Sequence, residues 1–378
     1  MLYWLLYQLL FPAIGPFRVF RYVTTRTLFA SLTSLFLCIL LGPWLIGKLR
    51  EFHVGQNIRE DGPKSHMKKA GTPTMGGVLI IISILVPTLL WADLRHVYVW
   101  IAMFALVAFG VIGFIDDYAK VLNKRNLGLT PRQKLALQMA VAAVITCVLA
   151  AMQYYGAYST TLNVPFIKQF HPDLLYPHAA LSNPYTYVLA FWPFYLFFVF
   201  VVVGSSNAVN ITDGLDGLAI GLMVISAGAL TILCYTSGNR DLANFLFLAR
   251  NPRTAELTIF CGSMTGASLG FLWWNAHPAD VFMGDVGSLS LGGAMGVVAV
   301  LIKQEILLIF IAGMFVVELM SVILQVGSYK LRKKRIFKMA PIHHHFEALG
   351  WQESKIIARF WIAGLVLALF ALTTLKLR

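Results

Sequence analysis

Apolar residues run along this chain in long blocks rather than in the one-faced helical or alternating patterns of a water-soluble core. A helix crossing a bilayer needs about 20 apolar residues. Ten blocks meet or approach that length, at about 27–47, 74–92, 97–115, 133–152, 186–203, 215–235, 255–272, 287–302, 306–328 and 357–375. Several are short or Gly-rich, notably the fifth and eighth. The apolar start, Met1–Phe20, is broken by Pro12, Gly15 and Pro16, which predicts an interfacial segment over 1–26 rather than a span. The expected fold is therefore all-α: a polytopic integral membrane protein of about ten transmembrane helices in one domain covering 1–378.

Composition agrees. Hydrophobic residues make up 58% of the chain and charged ones 12%, with a mean hydropathy of +0.73. Soluble domains carry about 25% charged residues, so lipid is the expected solvent. Thirty Lys and Arg against 17 Asp and Glu give a formal charge of +13. These cations sit between apolar blocks, which reads as membrane topology and not as nucleic-acid binding. Nineteen of the 30 fall in loops after odd-numbered blocks, so the positive-inside rule places those loops in the cytoplasm and both termini outside, in the periplasm. Arg18, Arg21 and Arg26 act against that sum. No basic n-region or A-x-A site marks a cleavable signal peptide. Cys38, Cys147, Cys234 and Cys261 stand singly in apolar blocks and read as packing residues.

The polar motifs then fall on one side. Lys64–Gly77, Asp116–Asp117, Asn207–Gly217, Asn275–Ser288 and Pro341–Glu347 each follow an odd-numbered block. Loops at about 48–73, 116–132, 204–214, 273–286 and 329–356 should thus build one cytoplasmic site. The loop at 153–185, on the other side, has nothing comparable. Asp116 and Asp117 end an apolar block, where carboxylates are costly and mark function. Asp213 and Asp216, in SSNAVNITDGLDGLAIG, would share a face if helical, with Gly214 and Gly217 allowing close approach of a ligand. The segment fits neither an EF-hand loop nor a Walker loop. Asp285, in NAHPADVFMGDVGS, opens the eighth block. Five carboxylates on one face need a counter-charge, and a hard divalent cation bridging to phosphates, Mg²⁺ above others, answers that need.

Basic partners are at hand. PKSHMKKAGTPTMGG combines Lys64, Lys68 and Lys69 with Thr72, Thr74 and a helix start, a set suited to a diphosphate. His343, His344 and His345 are adjacent, so they cannot all face one zinc ion; phosphate or ribose contact, or loop packing, suits them better.

Taken in order, KAGTPTMGG, FIDDYAK, NAVNITDGLDGLA, WWNAHPADVFMGDVGS and APIHHHFE resemble the phospho-N-acetylmuramoyl-pentapeptide transferase family over almost the whole chain. It belongs to the polyprenyl-phosphate N-acetylhexosamine-1-phosphate transferases. The resemblance implies transfer of phospho-MurNAc-pentapeptide from UDP-MurNAc-pentapeptide to undecaprenyl phosphate at a bacterial inner membrane. Lipid I and UMP would be the products, Mg²⁺ the cofactor and a homodimer the working form. By motif position it implies Asp116, Asp117 and Asp285 as catalytic, with Asp285 a metal ligand. Lys69, Thr74, Asn210, Asp213, Gly214, Leu215, Asp216, Asn275 and Phe282 would form the nucleoside and diphosphate pocket, and His343, His344 and His345 a substrate-facing lid. A sister enzyme using another UDP-N-acetylhexosamine is the nearest alternative. A transporter is more distant, because its site would lie near the bilayer midplane. Whether the lipid phosphate attacks directly or an aspartate first forms a covalent intermediate stays open at this level.

Overall fold

A computed structural model describes residues 1–51, 71–122, 128–165, 167, 170–175, 190–246, 248 and 250–375. Among these residues the regular structure is helical, joined by turns and extended stretches that include an isolated bridge between Thr161 and Asp173. Short helical segments at Trp4–Leu10 and Gly15–Arg21 precede the bundle. The main helices are α1 Val23–Glu51, α2 Gly77–Trp91, α3 Val97–Leu122, α4 Pro131–Tyr154, α5 Trp192–Thr212 and α6 Leu218–Gly238. They continue as α7 Leu257–Asn275, α8 Gly284–Leu301, α9 Gly313–Arg332, the short α10 Ile342–Ala348 and α11 Glu353–Thr373. Among the described residues, nine helices are long and apolar enough to cross a membrane.

α2 is the exception. Its 15 residues reach about 22 Å at 1.5 Å per residue, short of a bilayer core. Extended backbone before it pairs with the chain entering α8. Gly76 N donates to Phe282 O at 2.9 Å, Gly77 N to Met283 O at 2.9 Å, and Phe282 N to Pro73 O at 2.8 Å. Two helix entries thus satisfy each other's peptide groups, as a water-poor setting demands. A side chain at Gly77 would prevent this, because its Cβ would lie 2.0 Å from Gly287 N.

α8 is the centre. Every residue from Val286 to Leu301 is buried, and α2, α3 and α5 wrap around it. A helix apolar on all sides belongs in such a place. The outer helices α1, α5, α9 and α11 instead turn Leu40, Phe200, Ile323 and Ile362 outward.

The structure moves three sequence boundaries. α5 runs on to Thr212, well past 203, since Ser206, Ala208, Val209 and Thr212 are buried and Ser206 Oγ donates to Leu289 O of α8 at 3.1 Å. The expected loop 204–214 is therefore a turn over 213–217, and Asp213 and Asp216 do not share a helical face. Gly217, at φ 79°, sets the break before α6. α3 likewise continues to Leu122, placing Asp116 and Asp117 within the helix. The ninth block divides at Ala312 into a short helix, Leu308–Ile311, and α9.

Arg26, which opposed the charge rule, has a private partner. Its two guanidinium nitrogens each donate to a Glu256 oxygen at 2.7 Å, both residues are buried, and Trp91 O and the Tyr3 ring complete its surroundings. This pair lies at the end of the bundle opposite the polar motifs. Arg26→Met would strand the Glu256 carboxylate and should cost about 3–5 kcal/mol, read as a lower Tm in detergent. Adding Glu256→Leu should restore most of the loss. A single variant melting with its parent would remove the pair from the account of stability.

Candidate active site

At the other end, the last turns of α3, α5 and α7 meet the first turns of α4 and α8. Asp116 and Asp117 approach from α3, and Asp285 from the first turn of α8. One oxygen from each lies within 4.8 Å of the others. Close packing brings them there: a Cβ on Gly113 would lie 2.1 Å from Asp285 O, so the glycine lets α8 start against α3. Backbone amides hold the two α3 acids, Leu129 N donating to Asp116 Oδ1 at 2.7 Å and Val286 N to Asp117 Oδ2 at 3.2 Å.

Two lysines offset part of the group's negative charge. Lys120 Nζ lies 2.7 Å from Asp116 Oδ2, 3.1 Å from Asp117 Oδ1 and 2.9 Å from Asp285 Oδ2. Lys134 Nζ lies 3.0 Å from Asp285 Oδ2 and donates to Asn210 Oδ1 at 3.2 Å. Asn210 Nδ2 donates to Asp285 Oδ1 at 2.7 Å and to Ser288 Oγ at 2.8 Å. Lys120, Lys134 and Ser288 were missed as site residues, the lysines being counted as topology charges. The i, i+3 and i, i+4 spacing of Lys120 from Asp117 and Asp116 was the available signal. Lys134 had only its place in the first turn of α4, behind the capping box of Thr130 and Gln133. Hard oxygen donors, three carboxylates and no sulfur or imidazole among them fit a hard divalent cation.

Beside this centre lies the 213–217 turn. Asp216 is buried; its Oδ2 takes Ala279 N at 3.2 Å and lies 3.1 Å from His277 Nδ1. Asp216 N donates to Glu353 Oε1 at 3.1 Å, and Gly217 N to Asn275 Oδ1 at 3.0 Å. Asn275 Nδ2 in turn donates to Val281 O at 2.9 Å. The expected pocket residues Asn275 and Asp216 therefore tie the turn to the chain before α8. His277 and Glu353, neither among the expected site residues, join them. Leu215 is buried, Phe282 is partly so, and Thr74 Oγ1 would lie 2.9 Å from a Cβ on Gly284. Lys64, Lys68 and Lys69 lie outside the described residues.

Burial and the charges of Asp285, Asp117 and Asp216 push the Asp213 carboxyl up to about 8. A carboxyl raised above its unfolded value, about 4, stabilises fully below pH 4 and loses that contribution as pH rises to 8. Asp213→Asn should therefore flatten part of the fall in Tm between pH 5 and 8. Equal slopes for parent and variant would refute the shift.

The three histidines diverge. His343 is fully buried, 3.1 Å from Glu318 Oε1. His344 Nδ1 meets Glu347 Oε2 at 2.6 Å, and His345 Nδ1 accepts from Lys338 N at 3.1 Å. They do not converge on one point, as the sequence anticipated.

Known proteins share this chain's pattern. Residues 99–303 match Glycosyl transferase family 4, and residues 69–81 match phospho-N-acetylmuramoyl-pentapeptide-transferase signature 1. The phospho-N-acetylmuramoyl-pentapeptide-transferase of Solibacter usitatus is 71% identical over 379 residues, covering 100% of both chains. That of Koribacter versatilis is 65% identical over 380 residues, again covering 100% of both, and that of Acidobacterium capsulatum is 64% identical with the same coverage. Full-length identity at this level, on a helical bundle that gathers all but the undescribed part of the motif set at one end, places the chain in the phospho-N-acetylmuramoyl-pentapeptide-transferase family.

Proposed function

We propose that this protein transfers phospho-MurNAc-pentapeptide from UDP-MurNAc-pentapeptide to undecaprenyl phosphate, releasing UMP and leaving lipid I in the membrane. The observation that carries the reading is the meeting of Asp116, Asp117 and Asp285 with Lys120, Lys134 and Asn210 at one end of the bundle. Loop charge supports a cytoplasmic position for that end, in a bacterial inner membrane, where a soluble nucleotide sugar and a lipid phosphate can meet.

An oxygen of the lipid phosphate attacks the β-phosphorus of the nucleotide sugar, and the bond to the UMP oxygen breaks. Positioning and charge neutralisation carry most of such a reaction. Asp116, Asp117 and Asp285 would hold Mg²⁺, which when bound neutralises charge on the diphosphate. Lys120 and Lys134 hold these carboxylates in place and add positive charge beside them. Asp116 or Asp117 orients the incoming phosphate; taking its proton is a light task, since its second pKa is about 6. Asn210 fixes the Asp285 rotamer. The 213–217 turn, with Asn275, Phe282 and Thr74, receives the nucleoside end.

Purified enzyme with undecaprenyl phosphate and Mg²⁺ should convert UDP-MurNAc-pentapeptide to lipid I and leave UDP-GlcNAc untouched. Preference for UDP-GlcNAc would assign the chain to a sister activity.

A further inference from the structure

Glu318 sits inside α9 with no exposed surface, and His343 of α10 is equally buried beside it. Glu318 Oε1 lies 3.1 Å from His343 Nδ1, within ion-pair range but without a hydrogen bond between them. The far side of the ring faces the 213–217 turn, where a Cβ on Gly214 would lie 2.4 Å from His343 Nε2. The ring therefore stands directly under the backbone of Gly214, with nothing between them. Asp213 precedes that glycine and Asp216 follows it two residues on. The same turn is held on its other side by Glu353 at Asp216 N and by Asn275 at Gly217 N.

An acid and an imidazole are an expensive way to fill a buried space. Apolar residues of the same volume would pack as well or better. What the polar pair adds is orientation: a polar oxygen 3.1 Å from Nδ1 favours the ring rotation that keeps this nitrogen toward it, and so sets the direction of the other nitrogen. We propose that Glu318 is a positioning residue, holding the His343 ring beneath Gly214 and so setting the height of the 213–217 turn against the nucleotide. The proposal rests on the reading that this turn receives the nucleoside end of the donor. It gives the first histidine of the HHH run a part played from behind the pocket wall.

The test is kinetic. Glu318→Leu should raise KM for UDP-MurNAc-pentapeptide about tenfold, below the ~100-fold that a 1 Å misplacement can cost, with KM for undecaprenyl phosphate unchanged. Glu318→Gln keeps an acceptor at Nδ1 and should return the nucleotide KM close to the parent's. Gly214→Ala should raise the same KM by collision with the ring, and His343→Ala in that background should lower it again. If Glu318→Leu moves neither KM, or lowers kcat while raising both KM values alike, the proposal is wrong. Should Glu318→Leu fail to fold, the Gly214/His343 pair decides: additive losses without relief overturn it. Asp216→Asn separates the two ideas. If it raises the nucleotide KM while Glu318→Leu does not, the positioning fails and the pocket reading stands; if it too leaves that KM unmoved, the pocket reading itself fails.

Discussion

Asp285→Asn should lower transfer by about 10³-fold while the protein still folds and melts close to its parent. Asn fills the same volume, so packing at the start of α8 is kept. What disappears is the negative charge that Lys120 Nζ, Lys134 Nζ and Asn210 Nδ2 all address, at 2.9, 3.0 and 2.7 Å. Two ammonium groups would then share the two α3 carboxylates, and the metal group would lose one of its three acids. The measurement is kcat with both substrates saturating, alongside a melting curve in the same detergent. Activity within tenfold of the parent would take Asp285 out of the reaction.

Gly113→Ala should be nearly as damaging, by a different route. The new methyl carbon would lie 2.1 Å from Asp285 O and 2.5 Å from Val286 N. Those neighbours are backbone atoms of a helix buried on all sides, so they cannot swing away as a side chain end could. α8 would have to slide or tilt from α3, at a cost of about 1–3 kcal/mol for overpacking. Asp285 would move with it. A shift near 1 Å at the reacting centre can cost about 100-fold, so kcat should fall by that order together with Tm. A variant that melts lower yet turns over normally would break the link drawn between this glycine contact and the geometry of the centre.

Much of this architecture was legible in the sequence. Among the described residues the ten apolar blocks became ten membrane-length or near-membrane-length helices, because an apolar run in lipid has few alternatives to a helix. Parity brought Asp116, Asp117, Asn210 and Asp285 to one end without any appeal to relatives. Harder to foresee was where helices stop. Small polar residues such as Ser206 and Asn207 suggested a loop after 203, yet Ser206 bonds across to Leu289 and keeps α5 intact to Thr212. Lys134 was hidden as well, since a cation in a basic loop looks the same whether it faces water or a carboxylate from a helix 151 residues away. The inward turn of His343 had no signal in a run of three identical residues; only Glu318, far along the chain, distinguishes it from His344.

The proposed reaction is a direct transfer between nucleotide sugar and lipid phosphate at the three-aspartate site. Incubating purified protein with Mg²⁺ and labelled UDP-MurNAc-pentapeptide in lipid-free detergent, then adding undecaprenyl phosphate, tests it most directly. Direct transfer predicts no UMP before the lipid is added, and afterwards UMP and lipid I in equal amounts. UMP released in proportion to enzyme before any lipid is present would contradict it, and would point to a covalent aspartyl intermediate instead.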